Sequence, residues 1–280
     1  MPGMPYKIMS IVTRKLEGVN HFHYYLCRQL KGGGMEIFMK VFVVGSYKGG
    51  VGKTTTTVNL SYNVSTKGYR VLVIDADPQA NATYMFSRVN DNTYTLAELF
   101  AGSTINRCIY RTKYHNLDII KGSSRMEEAV GEADCLKEAL KQVSQKYDYV
   151  FIDCHPSMQL PTIAAIIAAD ELLIPFELDG YGRNGLILLD DYIKQIQEQY
   201  NPNLKYHIFI SKYAGRASQN RLLNGMIEKY DYPLLSKIVR YRESVNTSIE
   251  ARKPLLKHRR LDAVTQDYQE LTNLILQMEE

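Results

Sequence analysis

The stretch Gly45-Ser46-Tyr47-Lys48-Gly49-Gly50-Val51-Gly52-Lys53-Thr54-Thr55 constrains the fold more than any other part of the chain. Ahead of it, residues 41–44 form a β-branched and aromatic run (VFVV) that reads as a buried strand. Behind it, residues 54–64 place Val58, Leu60 and Val64 at apolar positions with no Gly or Pro, which reads as a helix. Strand, glycine-rich turn and helix N-terminus together make an anion-binding unit. Gly49, Gly50 and Gly52 let the backbone wrap with its N–H groups inward, and the helix dipole adds positive potential. Lys53 is placed to reach β- and γ-phosphates, and the Thr54 hydroxyl to ligate Mg²⁺. The general pattern GxxxxGK[ST] asks for glycine where Tyr47 stands, and Lys48 is an extra cation just inside the turn.

With 280 residues, 45% of them hydrophobic, the chain is long enough for one large α/β domain with a buried core. No run of 18 apolar residues occurs, so no transmembrane helix is expected. Cys27, Cys108, Cys135 and Cys154 show no CxxC spacing and read as reduced cytosolic thiols. The formal charge of +4 is unevenly placed. Residues 1–34 hold five basic residues and one acid, which leaves 34 − 5 = 29 basic and 30 − 1 = 29 acidic residues in a neutral remainder. The overall charge is therefore no argument for nucleic acid.

Residues 1–34 carry no strand-turn-helix pattern and end in Lys31-Gly32-Gly33-Gly34, and a purine-rich ribosome-binding sequence would translate as Lys-Gly-Gly. They are expected to be a non-core extension, with the biological start at Met35 or Met39; a basic targeting segment and a DNA-binding arm are the competing readings. Residues 35–280 are expected to be a single domain.

Strands and helices alternate through that domain. Residues 71–74, 118–120, 148–152, 172–175 and 207–210 read as strands, and 136–143 and 185–199 as helices. The alternation predicts an α/β fold: a doubly wound, mainly parallel sheet with helices on both faces and ligands at the carboxyl ends of the strands. Two carboxylate sites fall at that edge. The run Tyr149-Val150-Phe151-Ile152-Asp153 delivers an aspartate able to hold Mg²⁺. Asp75 and Asp77, two residues apart at the end of another strand, can divide the tasks of orienting a water and supporting the metal shell.

KGGVGKTT (48–55), DADPQAN (75–81) and VFIDCHPS (150–157), in this order, resemble the deviant Walker ATPases of the ParA/MinD group of P-loop NTPases, and most of all the ParA/Soj partition proteins. The resemblance runs from about Met39 to the C-terminus. It implies ATP and Mg²⁺ as cofactors. It also explains the extra lysine: Lys48 would reach across an ATP-sandwich homodimer to the phosphates held by the other subunit, and the motif begins at that lysine, so Tyr47 is no objection. By the same resemblance, Gly49 to Thr55 bind nucleotide, Lys53 contacts phosphate, Thr54 and Asp153 serve Mg²⁺, with Asp75 in support, and Asp77 is required for hydrolysis. Ser211 and Lys212 begin a segment similar to the one near the adenine, from which Ser211 and Ala214 depart. His155 stands where proline is more usual and reads as a tolerated substitution.

The resemblance implies a weak, partner-stimulated ATPase that partitions chromosome or plasmid DNA. Such a protein would bind DNA without sequence preference, respond to a ParB-like centromere-binding partner, and be cytoplasmic and nucleoid-associated. The alternative is a MinD-like or other positioning or regulatory ATPase that does not act on DNA. MinD-type proteins end in a basic amphipathic helix on anionic lipid. Residues 261–280 hold five acids and no Lys or Arg, so no stable membrane association is expected. Residues 237–260 carry Lys237, Arg240, Arg242, Arg252, Lys253, Lys257, Arg259 and Arg260 against Glu243 and Glu250, a local charge of 8 − 2 = +6. This stretch resembles the family's DNA-facing region; the competing reading is a basic face that pairs with the acidic tail.

Overall fold

The computed structural model describes residues 39–90, 92–179, 182–229 and 231–278. The N-terminal extension expected at 1–34, its competing readings and Cys27 lie outside the described residues. Seven strands form one sheet: β1 (Lys40–Val44), β2 (Val71–Ala76), β3 (Ile109–Arg111), β4 (Leu117–Ile120), β5 (Tyr149–Cys154), β6 (Glu171–Glu177) and β7 (Lys205–Ser211), in the order β3-β4-β2-β5-β1-β6-β7. Every pairing is parallel except β3 with β4. β1 lies between β5 and β6; its own connection leads to β2 on one side, while those leaving β5 and β6 lead toward β7 on the other, and this reversal opens a crevice at its carboxyl end.

The pleat divides the core. In β1, Val41 and Val43 face one layer and Phe42 and Val44 the other. The first layer packs under α2 (Leu160–Ala168) and α3 (Gly182–Gln199) through Ala164, Ile166, Leu189 and Ile193. The second packs under α1 (Lys53–Thr66) and the C-terminal α6 (Ala263–Gln277) through Val58, Leu60, Val64, Tyr268 and Leu271. Between them, α4 (Ala217–Lys229) and α5 (Ser244–Glu250) complete the C-terminal half. Of the described residues, no helix is long and apolar enough to cross a membrane.

The structure lengthens most of the expected elements. β2 runs through Asp75 to Ala76 and β5 through Asp153 to Cys154, so both aspartates are strand residues rather than residues beyond a strand end. The antiparallel edge strand β3 and the C-terminal helix were not expected. β3 is three residues long, too short to show alternation.

Candidate nucleotide and metal site

The turn after β1 has the backbone its glycines predict. Gly50 (φ +76°) and Gly52 (φ +99°) both sit in the left-handed region, where a side chain would be strained. Gly52 caps α1, its carbonyl accepting from Thr56 N at 2.9 Å. The first turn of α1 is rich in threonine yet closely packed. Thr56 Oγ1 meets the buried Tyr268 hydroxyl at 3.1 Å, and Asn59 Oδ1 accepts from Leu255 N at 2.8 Å. Polar partners from the C-terminal segment thus fix the helix that presents the loop.

Lys53 lies almost wholly buried, its Nζ donating to the Lys48 carbonyl at 3.0 Å. Burial lowers its pKa, while Asp153, Cys154 and Asp77 oppose that shift. The Lys48 ammonium is ion-paired with Asp179, in the connection after β6. Asp153 is fully buried at the carboxyl end of β5 and bonded to Thr54; its Oδ1 accepts from Thr57 Oγ1 at 3.3 Å, and its Oδ2 has no hydrogen-bond partner. Burial first, then the neighbouring Asp75 carboxylate, hold its pKa well above the usual range.

Asp75 pairs in register with Asp153 and is equally buried. Its Oδ2 accepts from both Thr83 N and Thr83 Oγ1 at 2.7 Å, and its Oδ1 from Asp77 N at 3.3 Å. Burial raises its pKa to about 6, against these hydrogen bonds. Asp77 sits just beyond β2, its Oδ1 accepting from Gln79 N at 2.8 Å. Two positions went unnoticed in the sequence. Thr83 orients Asp75 and accepts from Gly122 N at 2.9 Å. At Gly122 a Cβ would come within 2.9 Å of Asp75 Cγ and the Asp75 carbonyl and 3.0 Å of the Asp77 carbonyl. Only their distance from the loop in sequence hid them.

A buried carboxylate oxygen lacking any partner is expensive unless something positive meets it. The Asp153 carboxyl, with Oδ2 unpartnered and Thr54 bonded to the same group, therefore fits a hard divalent cation. Among the described residues no group of three or more His, Cys, Asp or Glu could hold a metal, so a cation here would keep waters and ligand oxygens, as Mg²⁺ does.

Beside the loop a cavity of about 280 Å³ is lined by Val51, Gly52, Thr55, Ser211, Lys212 and Arg240, among others. Ser211 ties β7 to the loop through a 2.8 Å bond to the Val51 carbonyl, and Lys212 takes φ +52° immediately after it. Sequence positions 48–55, 75–77, 153 and 211–212 thus meet at one edge of the sheet.

The basic stretch is divided. Arg240 grips Asp267 of α6 (Nη2–Oδ1 2.6 Å, Nε–Oδ2 2.9 Å), and Lys237 pairs with Glu270 at 2.8 Å. The Arg252 guanidinium donates to the carbonyls of Tyr84 and Ser87 and lies over the Tyr84 ring. Arg242, Lys253, Lys257, Arg259 and Arg260 are exposed. Lys237 and Arg240 thus pair with the acidic tail, while those five cations stay at the surface. His155 bonds Ser157 Oγ at 2.8 Å within its own turn. Cys108 and Cys154 are buried, and burial pushes both thiols up.

A family model described as an AAA domain matches residues 39–206. The chain is 36% identical over 176 residues to the sporulation initiation inhibitor protein Soj of Bacillus subtilis, covering 59% of this chain and 69% of that one. It is 33% identical over 189 residues to the chromosome partitioning protein ParA of Myxococcus xanthus, covering 64% and 67%. Among solved structures, the ATP complex of a Cyanothece McdA variant superposes with a TM-score of 0.73 at 25% identity, covering 86% of this chain and 97% of that one. The cell division ATPase MinD of Pyrococcus furiosus gives 0.72 at 22%, covering 85% and 99%, a likeness of fold. With these motifs on one sheet edge, the chain belongs to the AAA domain family, in the ParA/MinD group of P-loop NTPases.

Proposed function

We propose that this protein is an ATP-driven DNA-partitioning switch. In this reading ATP and Mg²⁺ bind at the loop after β1, two copies close on a pair of nucleotides, the dimer holds DNA without sequence preference, and a ParB-like partner triggers hydrolysis and release. The observation that carries the nucleotide site is the Asp153 carboxyl near Lys53, bonded to Thr54 and partnerless at Oδ2. The partition role is supported by the Soj and ParA relatives.

Each residue then has a task. The loop amides and Lys53 hold the phosphates, and the low-dielectric site strengthens that attraction. Thr54 and Asp153 would hold the ion, with Asp75 fixed behind them; when bound, it neutralises charge on the β- and γ-phosphates. Asp77, at the rim, orients the attacking water. The cavity at Ser211 and Lys212 receives the nucleoside. Lys48 leaves Asp179 to reach the other subunit's phosphates.

A DNA surface suits the C-terminal segment better than a lipid surface. The apolar side of α6, with Val264, Tyr268, Leu271 and Ile275, is buried in the core. The protein would then be cytoplasmic and nucleoid-associated. A switch must keep its ATP state long enough to act, so turnover without partner should lie well below the roughly 1–100 s⁻¹ of kinases. Steady-state hydrolysis with and without DNA tests this. Asp153→Ala should also abolish the Mg²⁺-dependent part of ATP binding; fast basal turnover or Mg²⁺-independent binding by the wild type would refute the reading.

A further inference from the structure

A second cavity, of about 660 Å³, lies at the opposite edge of the sheet, lined by Arg70, Arg111, Lys113, Asp118, Lys146 and Tyr147, among others. Here β2, β4 and β5 begin and the antiparallel β3 ends, Arg111 standing opposite Asp118. The cations differ in their partners. Arg70 is neutralised by Asp148 (Nη2–Oδ1 2.7 Å, Nε–Oδ2 3.2 Å). Lys146 Nζ donates to Asn106 Oδ1 at 2.6 Å and Lys113 Nζ to the Arg252 carbonyl at 3.2 Å, both uncharged acceptors. Among the described residues, no carboxylate lies within ion-pair distance of Arg111, Lys113 or Lys146. Asp118, the one carboxylate of the lining, accepts from the Tyr147 hydroxyl at 2.8 Å.

Around one recess, then, Arg111, Lys113 and Lys146 outnumber the single carboxylate, the two lysine ammonium groups resting at its rim on the neutral oxygens of Arg252 and Asn106. They come from three separate segments: the end of β3, the β3–β4 turn and the approach to β5. Like charges held together repel, and a multivalent anion relieves that repulsion while gaining charge-assisted hydrogen bonds. The volume lies within the roughly 300–1,000 Å³ of small-molecule sites. Convergence on a recess, rather than spread along a face, favours a compact ligand over a nucleic-acid backbone.

We propose that this cavity is a second anion site, separate from the phosphate loop, that takes a small polyphosphate-bearing ligand. Arg111, Lys113 and Lys146 provide the charge, and Tyr147 and Asn116 line the walls. The site lies at the far end of β2 and β5, the two strands that carry Asp75 and Asp153. It does not depend on the partition reading.

The test uses full-length protein with Lys53→Ala, which disables the phosphate loop, titrated with inorganic tripolyphosphate by calorimetry at low salt. One saturable site is expected, weakened at least about tenfold by adding Arg111→Ser and Lys146→Ser and unchanged by adding Arg259→Ser and Arg260→Ser. Arg111 and Lys146 are both exposed; should that pair fail to fold, Lys146→Gln alone should still weaken binding several-fold. The absence of a saturable site, or equal affinity in the Arg111/Lys146 variant, would overturn the proposal. So would random duplex DNA that loses affinity with that pair while tripolyphosphate is not bound, which would make this edge a nucleic-acid surface.

Discussion

Asp75 and Asp153 stand opposite each other on adjacent parallel strands, both fully buried, with one Asp153 oxygen unpartnered. The Asp75 pKa is raised to about 6, burial being the largest cause. An acid raised in the fold keeps its proton there after the unfolded chain has released its own. Its stabilising contribution is complete below the unfolded value of 3.8 and is lost as pH rises through about 6. Asp75→Asn should therefore raise Tm by a few degrees at about pH 7.5 in nucleotide-free protein, with the gain shrinking toward pH 4. Thermal melts across that range decide it; a lower Tm at pH 7.5 would mean that the hydrogen bonds to the carboxylate outweigh its burial.

Gly122→Ala should reach the site from the segment just after β4. Its Cβ would press on the Asp75 side chain and on two backbone carbonyls, none of which can move cheaply. A loss of about 1–3 kcal/mol in urea unfolding is expected, with hydrolysis reduced beyond what instability explains. A variant of wild-type stability and activity would show that β2 and β4 separate freely here.

Lys48 and Lys53 should separate by phenotype. Lys53→Ala should abolish ATP binding. Lys48→Ala should bind ATP yet sediment as a monomer, since in the proposed dimer Lys48 reaches the other subunit's phosphates. An ATP-stable dimer of the Lys48 variant would remove the cross-subunit role.

Arg240 and Arg259 should also differ. Arg240→Ala leaves the nearly buried Asp267 without its cation and should cost about 1–3 kcal/mol of stability, read in urea unfolding. Arg259→Ala with Arg260→Ala touches exposed side chains and should leave stability unchanged. If those two neutralise phosphates, the slope of log affinity for duplex DNA against log salt should flatten by roughly two units. An unchanged slope would move the DNA surface elsewhere.

The site was legible where its causes are local. Residues 45–55 show strand, turn and helix in one window, and the three glycines name their own geometry. Asp153 could be read as ending an apolar strand. What stayed hidden depends on pairing between distant segments. No local pattern reveals that Asp75 faces Asp153, that Gly122 leaves room for Asp75, or that Arg240 meets Asp267. The charge run at 237–260 shows this most plainly, since its sum is visible in sequence but the division between tied and exposed cations is made by α6, which holds Lys237 and Arg240, and by the segment at Tyr84 and Ser87, which holds Arg252.

The central claim is that nucleotide state switches DNA binding. Fluorescence anisotropy on a random-sequence duplex, with ATP·Mg²⁺ and with ADP·Mg²⁺ at the same salt, measures it directly. A dimer doubles the phosphate contacts, and counterion release grows with their number, so binding should be at least about tenfold tighter with ATP, and Lys48→Ala should remove the difference. Equal affinity in the two nucleotide states would contradict the account.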